Sequence, residues 1–239
     1  MKKYWIHIRL TLVVLLVAGL YSFTNIRNME RKLDLEPEIR FEDGGPMFIT
    51  PAMVNKLLIQ KAGGGSGVAK EKLVLEEMES ALNAHEMIRH ADVYIDVDGR
   101  LGVKITQRIP VARVSGDRSF YIDSQGKAMP LSPVYSARVP LVTGKFDENQ
   151  ISEIFSLAAY IDEDDFLKKN VIGIHRKGKD YELRFRNDDF VLDLGTTTRL
   201  EEKFNNFKAF YKKALKDNKL SAYKEVNLKY DNQVVCTKK

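Results

Sequence analysis

The sequence predicts an α+β protein: an N-terminal apolar segment followed by two folded units. Three observations carry this. One uncharged run lies near the N-terminus, and a strand–helix–helix–hairpin pattern fills the first half. In the second half, short β-prone runs and turn residues surround one amphipathic helix.

Composition narrows the function classes. The 239 residues are 44% hydrophobic and 30% charged, values of a folded body rather than a disordered one. The net charge of +5 arises from 38 basic and 33 acidic residues that are largely interspersed, as at Arg184, Arg186, Asp188 and Asp189. A nucleic-acid interface calls for a basic stripe with interleaved aromatics, so no nucleic-acid partner is expected. Cys236 is the single cysteine, which rules out an intramolecular disulfide.

Leu10–Phe23 is uncharged, preceded by Lys2, Lys3 and Arg9 and followed by Arg27, Arg31 and Lys32. The run leaves through Leu20-Tyr21-Ser22-Phe23, too bulky for a signal-peptidase site. It reads as an uncleaved anchor, with Trp5 and Tyr21 as interfacial aromatics. The expected organisation is a cytoplasmic tail over 1–8, a transmembrane helix over 9–26 and a charged stalk over 27–37. The first unit then covers 38–111 and the second 112–239. On this reading the protein is a single-pass inner-membrane protein with its bulk in the periplasm.

In the first unit, Ile39–Phe41 suits a strand. Thr50-Pro51 suits a helix start, with Met53, Val54, Leu57 and Leu58 on one face. Gly63–Gly67 reads as a loop, and Glu71–Ala84 as a second helix presenting Leu75, Met78 and Leu82. Val93, Ile95 and Val97 alternate into an Asp98-Gly99 turn, and Leu101, Val103 and Ile105 alternate out of it. The order is β-α-α-β-β. The stretch Leu75–Val114, closing on Gln107-Arg108-Ile109-Pro110-Val111-Ala112-Arg113, resembles the second half of a POTRA domain, in particular that of the FtsQ/DivIB family.

In the second unit, Phe120–Gly126 reads as a strand into a turn and Val139–Gly144 as an extended exit. Ile172–Arg176, Tyr181–Arg186, Phe190–Leu194, Glu225–Tyr230 and Gln233–Thr237 follow as strands. Thr198–Lys216 is a helix with Leu200, Phe204, Phe207 and Tyr211 at helical spacing. The sheet is expected to be extended and mostly antiparallel. The ending YKEVNLKYDNQVVCTKK, with its Leu-basic-Tyr triplet Leu228-Lys229-Tyr230, resembles the closing motif of the same family. The short tail before the apolar run resembles the FtsQ form rather than DivIB.

No Walker loop, GxSxG elbow, HExxH or CxxC occurs, so no enzyme, cofactor or metal is expected. His7, His85, His90 and His175 are scattered. Asp162-Glu163-Asp164-Asp165 lacks the spacing of a calcium loop and reads as a solvated loop. Lys212, Lys213 and Lys216 read as a solvated face.

The resemblance implies a non-enzymatic bitopic scaffold of the divisome, recruiting FtsB- and FtsL-like partners at the septum, with septal peptidoglycan synthases downstream. A POTRA-containing assembly or transport factor is the alternative. Gln233–Thr237, as the last segment, should lie at a sheet edge, where a partner strand can add. The expected contact residues are Arg176, Tyr230, Asn232, Gln233, Val234, Val235, Cys236 and Thr237. Tyr230 and Arg176 enter through the resemblance. A proline at Val235 is expected to remove a main-chain donor that this edge offers.

Overall fold

In a computed structural model, which describes residues 2–30, 34–61, 68–96, 99–116, 118–147 and 150–239, the Thr50-Pro51 pair starts a helix. Thr50 Oγ1 accepts the Met53 N–H at 3.2 Å, and Pro51 takes the first helical position. The chain divides into two units, Met1–Gly45 with Ile49–Gln107, and Pro46–Phe48 with Arg108–Lys239.

The first unit begins with α1 (Lys2–Glu30), followed by β1 (Asp34–Phe41), α2 (Pro51–Lys61), α3 (Val68–Asn83), β2 (Ile88–Ile95) and β3 (Arg100–Gln107). The three strands form a sheet in the order β1-β3-β2, with β1 parallel and β2 antiparallel to β3. Val54 and Leu58 of α2 and Met78 and Leu82 of α3 are buried, as are Ala91, Val93, Val103 and Ile105 of the sheet. Met53 and Leu57 are half-buried. Strand β2 starts earlier than the alternation at Val93 predicts. Exposed Arg89 and His90 stand side by side there and blur the period of two. The Gly63–Gly67 loop and the turn residues Val97 and Asp98 lie outside the described residues.

The expected membrane span is corrected. Among the described residues, no helix is long and apolar enough to cross a membrane. Helix α1 has 29 residues, but its uncharged stretch is only Leu10–Ile26, bounded by Arg9 and Arg27. At 1.5 Å per residue that stretch reaches roughly 26 Å, short of about 30 Å of hydrocarbon. Arg9 interrupts it on one side, with its guanidinium 5.1 Å from the centre of the Trp5 ring. The assignment to the inner membrane, with a cytoplasmic N-terminus and a periplasmic body, rested on that span and falls with it. The fold is a mixed α+β one with a large sheet.

The second unit contains β4 (Pro110–Val114), β5 (Phe120–Asp123), β6 (Ala128–Met129) and β7 (Leu141–Gly144). Helices α4 (Ile151–Glu163) and α5 (Asp165–Asn170) follow. Next come β8 (Val171–Lys177), β9 (Asp180–Phe185), β10 (Val191–Gly195), α6 (Leu200–Lys216), β11 (Tyr223–Asn227) and β12 (Val235–Lys238). One nine-stranded sheet runs β12-β11-β10-β9-β8-β7-β4-β5-β6. The contacts β4–β7, β7–β8 and β10–β11 are parallel and the others antiparallel.

The Asp162–Asp165 run is not a solvated loop. It joins two helices that the sequence reading missed. Asp164 caps α5 by accepting the Leu167 N–H at 2.9 Å and also receives Lys208 Nζ at 2.7 Å, while Asp162 pairs with Lys168 at 2.7 Å. Burial pushes the Asp164 carboxyl up, but Lys208 and the Leu167 N–H together outweigh it and hold it below its usual value.

The core lies between the sheet and these helices. Phe207 of α6 is fully buried. Its ring centre lies 5.1 Å from that of Phe185, 5.8 Å from Tyr211, 6.1 Å from Phe190 and 6.3 Å from Phe166. Because one ring joins α5, α6, β9 and the residue just before β10, Phe207→Ala should cost about 3–5 kcal/mol in urea unfolding. Asn205→Ala, on the exposed face of α6, should stay within about 0.5 kcal/mol.

Candidate functional site

Sheet edges carry unpaired main-chain groups, and this chain treats three of them differently. At β2, the Asn83 side chain of α3 accepts the Ala91 N–H at 2.8 Å and donates to the Ala91 carbonyl at 3.1 Å. Glu79 accepts the Val93 N–H at 3.4 Å. That edge is stopped by side chains. At the far end of the large sheet, β6 is two residues long and runs into Pro130, so it offers almost nothing to pair with. Strand β12 closes the other end with neither device.

Which groups β12 leaves open follows from hydrogen-bond parity. The Leu228 N–H donates to the Asp193 carbonyl at 2.8 Å, so Val226 and Leu228 turn their main chain toward β10. Glu225 and Asn227 therefore face β12, opposite Thr237 and Val235. The Lys239 N–H donates to the Ala222 carbonyl at 2.9 Å, in the same parity. The main-chain groups of Val235 and Thr237 are thus used on β11, and those of Cys236 and Lys238 face outward. A proline at Val235 would cut the inner ladder. The outward donors belong to Cys236 and Lys238.

Side chains alternate the other way. Val234 and Cys236 are half-buried and pack on the core, and burial pushes the Cys236 thiol above its usual pKa. Val235 is 42% exposed and Thr237 is exposed. Tyr230, 58% exposed, stands in the turn before β12. Asn232 in that turn takes φ 55°, a left-handed conformation that asparagine tolerates better than most residues. Gln233 is exposed, and its N–H reaches the Tyr230 carbonyl at only 3.5 Å.

Residues that sequence reading missed position this turn. Asp193 is its hub. Its carboxylate receives Lys229 Nζ at 2.6 Å, the Asn227 amide at 3.2 Å and the Gly195 N–H at 3.2 Å. Lys229 also reaches Asp180 at 3.5 Å. The hydrogen bond to Asp193 is the main cause that raises the Lys229 ammonium above its usual pKa. Arg199 pairs with Asp231, holding that carboxyl below its usual value. No spacing in the sequence joins Asp193 to Lys229, because the pairing depends on β10 lying parallel to β11.

Arg176 stands apart from the edge. It belongs to β8, four strand spacings or about 19 Å from β12. It sits opposite buried Tyr181, whose phenol burial pushes up to about 12, and donates to the Lys145 carbonyl at 2.9 Å. Seven of the eight expected contact residues therefore gather at β12 and its turn, and Arg176 does not join them. Among the described residues, no cluster of His, Cys, Asp and Glu is placed to hold a metal ion. His85 Nδ1 accepts the Met87 N–H at 3.2 Å, and His90 pairs with Asp92 at 3.0 Å.

Gly195 tests the hub. Its φ is 68°, and a Cβ there would fall 2.5 Å from Lys229 Cγ, whereas Gly178, at φ 67°, has open space. Gly178→Ala should cost about 1 kcal/mol, the left-handed backbone alone. Gly195→Ala should cost about 2–3 kcal/mol in urea unfolding, because Lys229 must also leave Asp193.

No curated protein matches the chain. A family model described as FtsQ/DivIB, C-terminal related, matches residues 109–237, nearly all of the second unit and the candidate edge as far as Thr237. With more than half of its length matched, the chain belongs to the FtsQ/DivIB C-terminal related family, a non-enzymatic family of cell-division proteins.

Proposed function

We propose that this chain is a cell-division scaffold that holds its partner by strand addition at β12. The observation that carries this reading is the outward main chain of Cys236 and Lys238, at a sheet end with none of the blunting seen at β2 and β6. A partner strand laid there gains main-chain hydrogen bonds. Val235, Thr237 and the neighbouring turn residues Tyr230, Asn232 and Gln233 supply specificity, with Val234 and Cys236 anchoring the strand to the core. Arg176 contributes only where a partner crosses several strands beyond the edge.

The family works in divisome protein complexes. On this reading the strand donor is an FtsB-like protein, with an FtsL-like protein and septal peptidoglycan synthases as further members of the assembly. The β-α-α-β-β order of the first unit supports its reading as a POTRA-type recruitment module. Its stopped β2 edge argues that it does not take a strand there.

Two proline variants test strand addition. Cys236→Pro removes an outward donor and should weaken FtsB-like partner binding roughly tenfold relative to Cys236→Ala, which loses the same half-buried side chain but keeps the donor, with the two melting temperatures close. Val235→Pro cuts the ladder to Asn227 and should detach β12, losing both binding and several degrees of melting temperature. Undiminished binding by the folded Cys236→Pro protein overturns strand addition. Filamentous cells on depletion support the division role, and envelope-assembly defects without filamentation contradict it.

A further inference from the structure

Charge on this chain is less evenly mixed than its composition implies. Residues 212–224 and 235–239 hold Lys212, Lys213, Lys216, Lys219, Lys224, Lys238 and Lys239 against Asp217 alone. Seven lysines against one aspartate give a formal +6, more than the +5 of the entire chain. The rest of the protein is therefore close to neutral.

The fold brings these two stretches together. The Lys219 N–H donates to the Ala214 carbonyl, the Ala222 N–H to the Lys219 carbonyl and the Lys239 N–H to the Ala222 carbonyl. Tyr223 pairs with Lys238 across β11 and β12, and its ring packs 5.5 Å from that of Phe210 in α6. The last turn of α6, the start of β11 and the end of β12 thus form one corner of the second unit. Two of its lysines have acidic partners, Lys219 with Asp217 at 3.7 Å and Lys239 with Asp189 at 3.1 Å. Lys212, Lys213, Lys216 and Lys224 are exposed.

We infer that this corner is the electrostatic half of the docking site, and that the segment added to β12 is an acidic, extended polypeptide. The inference rests on the strand-addition reading and gives the partner its chemistry. The summed positive charge of this corner attracts an acidic segment laid beside Lys238 and speeds its encounter. Nucleic acid fits less well, because the aromatics nearest the lysines, Phe210, Tyr211 and Tyr223, are half-buried and packed against the core rather than set out as a platform for bases. A membrane surface fits less well, because the apolar face of α6 is buried under the sheet. Leu215, 56% exposed, is the one large apolar side chain exposed within these stretches outside β12.

The test uses the full chain and two labelled peptides of about twelve residues, one alternating threonine with glutamate and the other threonine with glutamine. Affinities are measured at about 50 mM and about 300 mM salt. The glutamate peptide should bind about tenfold more tightly at the lower salt. The glutamine peptide should be weaker and nearly insensitive to salt. The triple variant Lys213→Gln, Lys216→Gln, Lys219→Gln, which leaves β12 unaltered, should bind the glutamate peptide no better than the glutamine one. Equal affinity for the two peptides, no binding of either, or indifference to the triple variant overturns the inference. So does tighter capture, through the same lysines, of duplex DNA or of vesicles of equal phosphatidylcholine and phosphatidylglycerol. Cys236→Pro separates the two readings. If it leaves glutamate-peptide binding unchanged while the triple variant abolishes it, the basic corner stands and strand addition fails.

Discussion

An edge strand can direct only alternate main-chain groups at its neighbour, and the functional account here depends on that constraint. The inward groups of β12 join the sheet. The outward groups of Cys236 and Lys238 must be met by water or by another chain. At β2 the same problem is solved internally, with Asn83 covering both groups of Ala91. A chain that can stop an edge with one asparagine, and does so in its first unit, leaves β12 open.

Keeping a short edge strand in place takes support from behind. Strand β12 has four residues and follows a turn with few internal hydrogen bonds. The support comes from Asp193, which gathers Lys229, Asn227 and Gly195, and from the Arg199–Asp231 pair. Exposed ion pairs are individually weak. Asp193 differs because its side chain is only 14% exposed, so losing Lys229 would leave a largely covered carboxylate without its cation. Beneath this hub, Phe207 fixes α6 to the sheet, and Lys203 of α6 donates to the carbonyls of Leu194 and Thr196 at 3.0 and 2.7 Å. Burial lowers the Lys203 ammonium below its usual pKa, with Arg199 adding to the effect. The aromatic core, the buried lysine and the charged turn thus form a continuous path of contacts from α6 to the edge.

Much of this was legible in the sequence, for reasons that can be named. The apolar spacing of Leu200, Phe204, Phe207 and Tyr211 gave α6 because that face is buried against the sheet. Val234-Val235-Cys236 gave a strand because its residues are β-prone. Helix α4 was equally marked by Ile154, Leu157, Ala158 and Ile161, but the acidic run after it suggested a solvated loop. Only the structure shows Asp164 meeting Lys208 and capping α5. The apolar run at Leu10–Phe23 overstated a membrane span, because run length and not hydrophobicity alone decides whether a helix crosses. The charge hub was hidden, since β-strand partners distant in sequence leave no local trace. The outward parity of Cys236 and Lys238 needed the register of β11 against β10, which no single strand contains.

Amide hydrogen exchange at single residues of β12, with and without a saturating partner segment, tests the central claim most directly. In the free protein the Thr237 amide should exchange slowly and the Cys236 and Lys238 amides fast. On partner binding the account predicts that Cys236 and Lys238 slow by about tenfold or more while Thr237 changes little. Saturated binding that leaves the Cys236 and Lys238 amides exchanging at their free rates would contradict it.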